Sequence, residues 1–114
     1  MQLGDAPARM PPRSPRVAKL MALAIRFEGL IRDGVVADYA ELARLGHVTR
    51  ARMSQIMNLL SLAPDIQEAI LFLEPVERGK DPITERDLRL IVAIADWKKQ
   101  RRMWRVQFRT KGTT

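Results

Sequence analysis

Between residues 38 and 64 the chain carries helix start and stop signals spaced too closely for any long helix to pass through. Asp38 is an N-cap residue with Glu41 three positions on, the spacing of a capping box. Gly46 ends what Asp38 begins, His47-Val48 forms a turn, and Thr49 is a second N-cap. Pro64 then disfavours helical backbone at the residue before it. The pattern predicts a short helix from Tyr39 to Leu45, a tight turn, and a second short helix from Arg50 to about Leu62. Two such helices cannot run parallel over any length, so they must cross, and the contact needs a small residue. Ala43 supplies it.

The same punctuation organises the rest of the chain. Ser14-Pro15 reads as an N-cap followed by proline at the first helical position, opening a helix from about Arg16 to Asp33. Leu20, Leu23, Ala24, Phe27, Leu30 and Ile31 form its apolar stripe, and Gly34 suits its C-terminal stop. A fourth helix begins at Pro64-Asp65 and includes Ile66, Ala69, Ile70 and Leu73. Residues 74–82, with Pro75, Gly79 and Pro82, read as a loop. Thr84 caps a fifth helix, with Asp87 at the box position and Leu88, Ile91, Val92 and Ala95 as its core face. That pattern extends through Trp97, Trp104 and Phe108 into the basic end. No strand alternation, internal repeat or low-complexity tract is found. The expected class is all-α: a compact bundle of about five helices containing a helix-turn-helix over residues 16–97. A proline-rich disordered arm (1–15) precedes it, and a basic helix or tail (98–114) follows.

Composition narrows the chemistry. Among 114 residues there is no cysteine, which removes disulfide frameworks, thiolate metal sites and thiol nucleophiles together. No apolar run approaches the roughly 20 residues that span a bilayer. Met21–Ile25 is too short for a signal sequence and is followed by Phe27-Glu28 rather than a small-residue cleavage site. A cytoplasmic chain without a membrane partner is expected. The formal net charge is +7, and residues 98–114 alone hold seven cations (Lys98, Lys99, Arg101, Arg102, Arg105, Arg109, Lys111) and no acid. Such density suits an anionic polymer, nucleic acid first.

The segment Arg50–Leu60 divides into two faces. Met53, Ile56 and Leu60 recur on an inner face flanked by Met57 and Leu59. The opposite face carries Arg50, Ser54, Gln55 and Asn58, with Arg52 to one side and no acidic residue anywhere on the helix. These side-chain types read base edges in the major groove: arginine pairs with guanine, glutamine or asparagine with adenine. Thr49, at the positively polarised helix start, is placed for a phosphate oxygen. The reading is a binder of double-stranded DNA in which Thr49, Arg50, Arg52, Ser54, Gln55 and Asn58 meet the duplex. His47, Lys98, Lys99, Arg101, Arg102 and Arg105 would hold the phosphate backbone.

At this point the chain resembles the DNA-binding domain of ParB/KorB-type partition proteins. The likeness rests on Leu42-Ala43, Gly46, Met53-Ser54 and Leu59-Leu60, continues through Leu62-Ala63-Pro64 and Ile66-Gln67, and is last seen at Ile83-Thr84-Glu85 with Leu88-Arg89. It covers about residues 38–95. Gly46 lies one position earlier than the family's turn glycine, which leaves His47 in that place. The family's upstream nucleotide-binding region and downstream dimerisation domain find no room here, so the resemblance implies the DNA-reading module alone. The chain also resembles small products encoded beside phage or transposon site-specific recombinases. A regulator or accessory factor of a mobile element is therefore expected, with a homodimer or such a recombinase as the protein partners this allows.

Other chemistries fare worse. His47 is the single histidine and has no ligand partners at metal spacing. Glu74, Glu77, Glu85 and Asp87 fall in a loop and a helix start, where solvated and capping roles dominate over acid/base work. Phosphate-loop and nucleophile motifs are absent, so neither an enzyme nor a cofactor is expected. Trp97 is read as core packing, whereas Trp104 and Phe108, among arginines, suit a partner surface. The alternative is thus a small helical module that binds protein or RNA through this end.

Overall fold

The computed structural model describes residues 12–112, with side chains through Phe108. Its elements are α1 (Arg16–Arg32), α2 (Tyr39–Leu45), α3 (Arg50–Met57), a 310 turn (Asn58–Ser61), α4 (Pro64–Leu71), α5 (Glu85–Val92) and α6 (Trp97–Gly112). The class is all-α. Among the described residues the sole β pairing is an isolated antiparallel bridge between Arg13 and Val76.

Local chemistry sets most of these boundaries. Asp38 accepts the Glu41 N–H at 2.9 Å, while the Glu41 carboxylate accepts the N–H of Ala37, one residue before the cap rather than the cap itself. Thr49 accepts the Arg52 N–H at 3.0 Å. At Thr84 the box is complete in both directions with Asp87. α1 ends in a Schellman arrangement, Val35 N–H to the Leu30 carbonyl and Gly34 N–H to that of Ile31, with Gly34 at φ 77°. α2 ends the same way, Val48 N–H to Ala43 and His47 N–H to Arg44. There the left-handed residue is His47, at φ 57°, and Gly46 is not. A non-glycine residue in that region costs about 1–2 kcal/mol.

α1 lies at the centre. It packs on α3, the 310 turn and α4, while α5 covers the 310 turn and meets α6. One apolar cluster joins Val17, Met21 and Ala24 of α1 with Leu42 and Ala43, Met53, Ile56 and Met57, Ile66 and Ile70, and Leu88 and Ile91. Ala43 is buried, as the crossing requires.

Several expectations are corrected. The buried edge of α1 is Val17, Ala18, Met21 and Ala24; Leu23 is 37% exposed, so the stripe is rotated from the one its leucines suggest. Pro15, not Ser14, is the cap residue of α1, without a side-chain cap. Its role passes to Asp81, whose Oδ2 accepts the Arg16 N–H from 65 residues away. The expected arm must be shortened. Residues 12–15 are tied in by the Arg13–Val76 bridge and by an Arg13–Asp81 ion pair at 2.6 Å, whereas residues 1–11 lie outside the described region. The segment after Met57 tightens into 310 geometry, which buries Leu59 and leaves Leu60 only partly covered. The fifth and sixth helices are separate. A break at residues 93–96 leaves Ala95 exposed, and Asp96 restarts the chain by accepting the Lys98 N–H.

The join between the 310 turn and α4 passes through the core, so its backbone groups need partners. Gln67 donates to the carbonyls of Leu60 and Leu62, at 3.1 and 2.9 Å. Gln100, 1% exposed, accepts the Ala63 N–H at 2.8 Å and donates to the carbonyls of Ile94 and Ser61. Removing a buried partner leaves its groups unsatisfied, at about 1–3 kcal/mol each. Gln100→Leu is therefore expected to cost about 2–3 kcal/mol in urea unfolding; a change within 0.5 kcal/mol would contradict the role given to this side chain. His47→Gly, which relieves the left-handed backbone, should instead raise stability by about 0.5–1 kcal/mol in the same assay.

Candidate nucleic-acid interface

α3 shows one face to the core and the other to solvent. Met53, Ile56 and Met57 are buried, and Ala51, Ser54, Gln55 and Asn58 are exposed at i, i+3, i+4 and i+7. Ala51 was not singled out from the sequence, because a small apolar side chain carries no signal of exposure there. Asn58 belongs to this face by position but sits on the first residue of the 310 turn. Arg50 is exposed on the flank next to α2, where it lines a shallow cleft with Asp38, Tyr39 and Ala40. It forms no ion pair within the described residues.

The start of α3 is built for an acceptor. Thr49 Oγ1 takes the Arg52 N–H, and the first N–H groups of a helix have no intrahelical partner. The Thr49 hydroxyl proton remains available to donate. His47 is exposed two residues before it, held by the Schellman turn.

Arg52 departs from its expected role. Its guanidinium is turned toward α5, where it meets both carboxylate oxygens of Glu85, Nη2 to Oε1 at 3.0 Å, and Nη1 also donates to Gln55 Oε1 at 3.1 Å. The Arg52 contact holds the Glu85 carboxyl below the usual glutamate range, outweighing the burial that would raise it. The same contact raises Arg52. This residue is thus a strut between α3 and α5. Its pairing spans 33 positions of sequence, and the missing acid of α3 is supplied from α5. Gln55 and Asn58 line a cleft of about 270 Å³ with Leu59, Glu85, Arg89 and Val92, so the exposed face of α3 is walled on one side by α5.

A second, larger cleft of about 690 Å³ lies between the starts of α1 and α5. Arg13, Arg16, Lys19, Lys80 and Arg86 line it, with Asp81 and Glu85 as the acids. Burial pushes the Asp81 carboxyl up, but the Arg16 N–H and the Arg13 guanidinium more than offset this and hold it below the ordinary value. Sequence reading missed this cationic wall because its members come from three separate segments. Glu85 belongs to both clefts, so the cationic wall adjoins the strut beside α3.

The basic end is helical. Lys98, Arg102 and Arg105 recur at i, i+4 and i+7 on α6, are exposed, and lack ion pairs within the described residues, as does Lys99. Arg101 is instead held by Asp65, its Nε at 2.9 Å from both carboxylate oxygens. The side chains of Arg109 and Lys111 fall outside the described residues. The tryptophans exchange their expected places. Trp97 is 45% exposed and donates its indole N–H to the Ser61 carbonyl at 3.2 Å, whereas Trp104 packs against the core with Phe108 tilted beside it, 5.6 Å between ring centres. α6 is therefore fixed, by Trp97 and Gln100, to the residue that ends the 310 turn after α3.

Among the described residues no three His, Asp or Glu side chains gather as a metal site needs, and no helix is long and apolar enough to cross a membrane.

The strut gives a pH test. Because the folded-state Glu85 is depressed, its stabilisation is fully present above the ordinary glutamate value of 4.5 and is lost as pH falls through the lower folded value. In Glu85→Gln, melting temperatures across pH 2–7 should lose that part of the acid-side fall, and a curve parallel to the unmodified protein's would contradict the pairing. Comparison with protein-family models, curated proteins and solved structures finds no match to this chain.

Proposed function

We propose that the chain binds double-stranded DNA sequence-specifically, with α2, the turn at 46–49 and α3 acting as a helix-turn-helix and α3 lying in the major groove. The observation that carries this reading is the exposed face of α3. Ala51, Ser54, Gln55 and Asn58 are presented without an acid on the same helix, above an inner face that is fully buried. A rigid helix with small and amide side chains outward can approach base edges, and an exposed alanine suits a thymine methyl. Arg50 reaches from the flank, and Thr49 with the free N–H groups at the helix start receives a phosphate.

Two cationic regions would supply affinity independent of sequence. One is the stripe of Lys98, Arg102 and Arg105, with Lys99, on α6; the other is the wall of Arg16, Lys19 and Arg86 beside the Arg52–Glu85 strut. Each phosphate contact releases condensed counterions, so the binding constant falls steeply with salt. A part in the regulation or recombination of a mobile element, as a homodimer or beside a site-specific recombinase, is the biological setting that the likeness to partition and recombinase-associated proteins suggests.

A second reading draws on the exposure of Trp97, Val106 and Phe108 on α6, and makes this a protein- or RNA-binding module.

Selection from random duplexes at two salt concentrations separates the two. The proposed function predicts an enriched motif, and Arg50→Ala should relax one base position by roughly 1–3 kcal/mol. Lys98→Ala and Lys19→Ala should weaken binding to every duplex and lower the salt slope by about one each, without changing the motif. A uniform, salt-sensitive distribution that Arg50→Ala leaves unchanged would overturn the proposal.

A further inference from the structure

The cleft between the starts of α1 and α5 carries more positive charge than its own acids consume. Its volume of about 690 Å³ falls in the range of small-molecule sites, roughly 300–1,000 Å³. Such sites are usually walled by apolar and aromatic side chains. Among the described residues this cleft has none: every lining side chain is charged or bears a hydroxyl. Each of its two acids already has a guanidinium of its own. Asp81 pairs with Arg13, and Glu85 pairs with Arg52, which reaches it from α3 and is not part of the lining. Arg16, Lys19, Lys80 and Arg86 are left over, all exposed and none with an ion pair among the described residues. A hollow lined by unspent charge of one sign focuses the field and concentrates counter-ions within it.

Shape narrows the kind of anion. A duplex is convex and strings its charges along each strand, one per about 3.4 Å of rise. A short chain of linked phosphates instead gathers several charges in one compact group, which can enter a hollow and meet cations from several sides. A nucleobase, with no aromatic or apolar surface to lie on, gains nothing there. We propose that this cleft binds a free oligophosphate, the triphosphate group of a nucleotide or its inorganic equivalent, held by Arg16, Lys19, Lys80 and Arg86 and recognised by its phosphates alone. The site stands apart from the DNA-binding reading. Where both hold, oligophosphate and a duplex backbone draw on the same cations, so the anion weakens duplex binding at this wall without altering the motif.

The probes are inorganic tripolyphosphate, ATP and sodium chloride of matched ionic strength, followed by titration calorimetry and thermal unfolding. Tripolyphosphate should bind saturably and raise the melting temperature by mass action, and matched chloride should not reproduce the rise. ATP should bind within roughly tenfold of tripolyphosphate. The basic stripe of α6 is the competing location, so two double variants are compared. Lys19→Gln with Arg86→Gln should weaken both ligands by roughly tenfold or more, and Lys98→Gln with Arg102→Gln should leave them unchanged. All of these side chains are exposed, and melting without ligand checks that each variant keeps its fold. Absence of saturable binding, a rise that chloride reproduces, or an affinity that falls with the α6 pair and not with the cleft pair overturns the inference. ATP binding more than roughly tenfold tighter than tripolyphosphate also overturns it, because that preference requires contacts to base or sugar. No readout involves DNA, so failure here leaves the proposed function untouched, and failure of that proposal leaves this one.

Discussion

Backbone polar groups carried through an apolar core must be satisfied, and the step from Ser61 to Pro64 is where this constraint weighs most. Here α3 has run out through its 310 turn and α4 has not begun. Leu62, Ala63 and the neighbouring Leu59 are buried, yet the Ala63 N–H and the carbonyls of Leu60, Ser61 and Leu62 cannot all close helical bonds. Gln67 meets two of these carbonyls and Gln100 meets the Ala63 N–H and Ser61. By doing so, Gln100 anchors α6 at the end of the 310 turn. The course of the chain after α3 and the position of the basic helix are consequences of one accounting problem.

The two ends of α3 are held by different means. At its start the support is local: Thr49 caps it, and the Schellman turn through His47 delivers the chain to that cap. Along its length the support is remote, from the apolar cluster beneath and from Glu85 at the side. The local part constrains where the helix begins, and the remote part constrains how far it can roll. An outward face needs both, since a helix free to rotate presents no fixed set of side chains.

That division also explains what could be read from residues alone. The start and end of α2, the Thr49 cap and the Thr84–Asp87 box all depend on neighbours within a few positions, so they are legible in the sequence. The Arg13–Val76 bridge, the Asp81 cap of α1, the Arg52–Glu85 strut and the burial of Gln100 join residues 33 to 65 positions apart, and no periodicity announces them. Glutamine at 100 was hidden among basic residues whose charge argued for exposure. The exchange of roles between Trp97 and Trp104 has the same origin. The helix restarts at Asp96, which resets the phase of the apolar stripe relative to α5.

The passage of α3 into 310 geometry at Asn58 limits how much sequence one copy could inspect. Eight α-helical residues extend over roughly 12 Å, about the length of three or four stacked base pairs at 3.4 Å per step. A word of four base pairs recurs by chance roughly every few hundred positions, far too often to single out one address in a genome. Any economy of recognition built on this helix must therefore be collective. On the DNA-binding proposal, a second copy or a neighbouring protein bound alongside would have to lengthen the word before it could name a place.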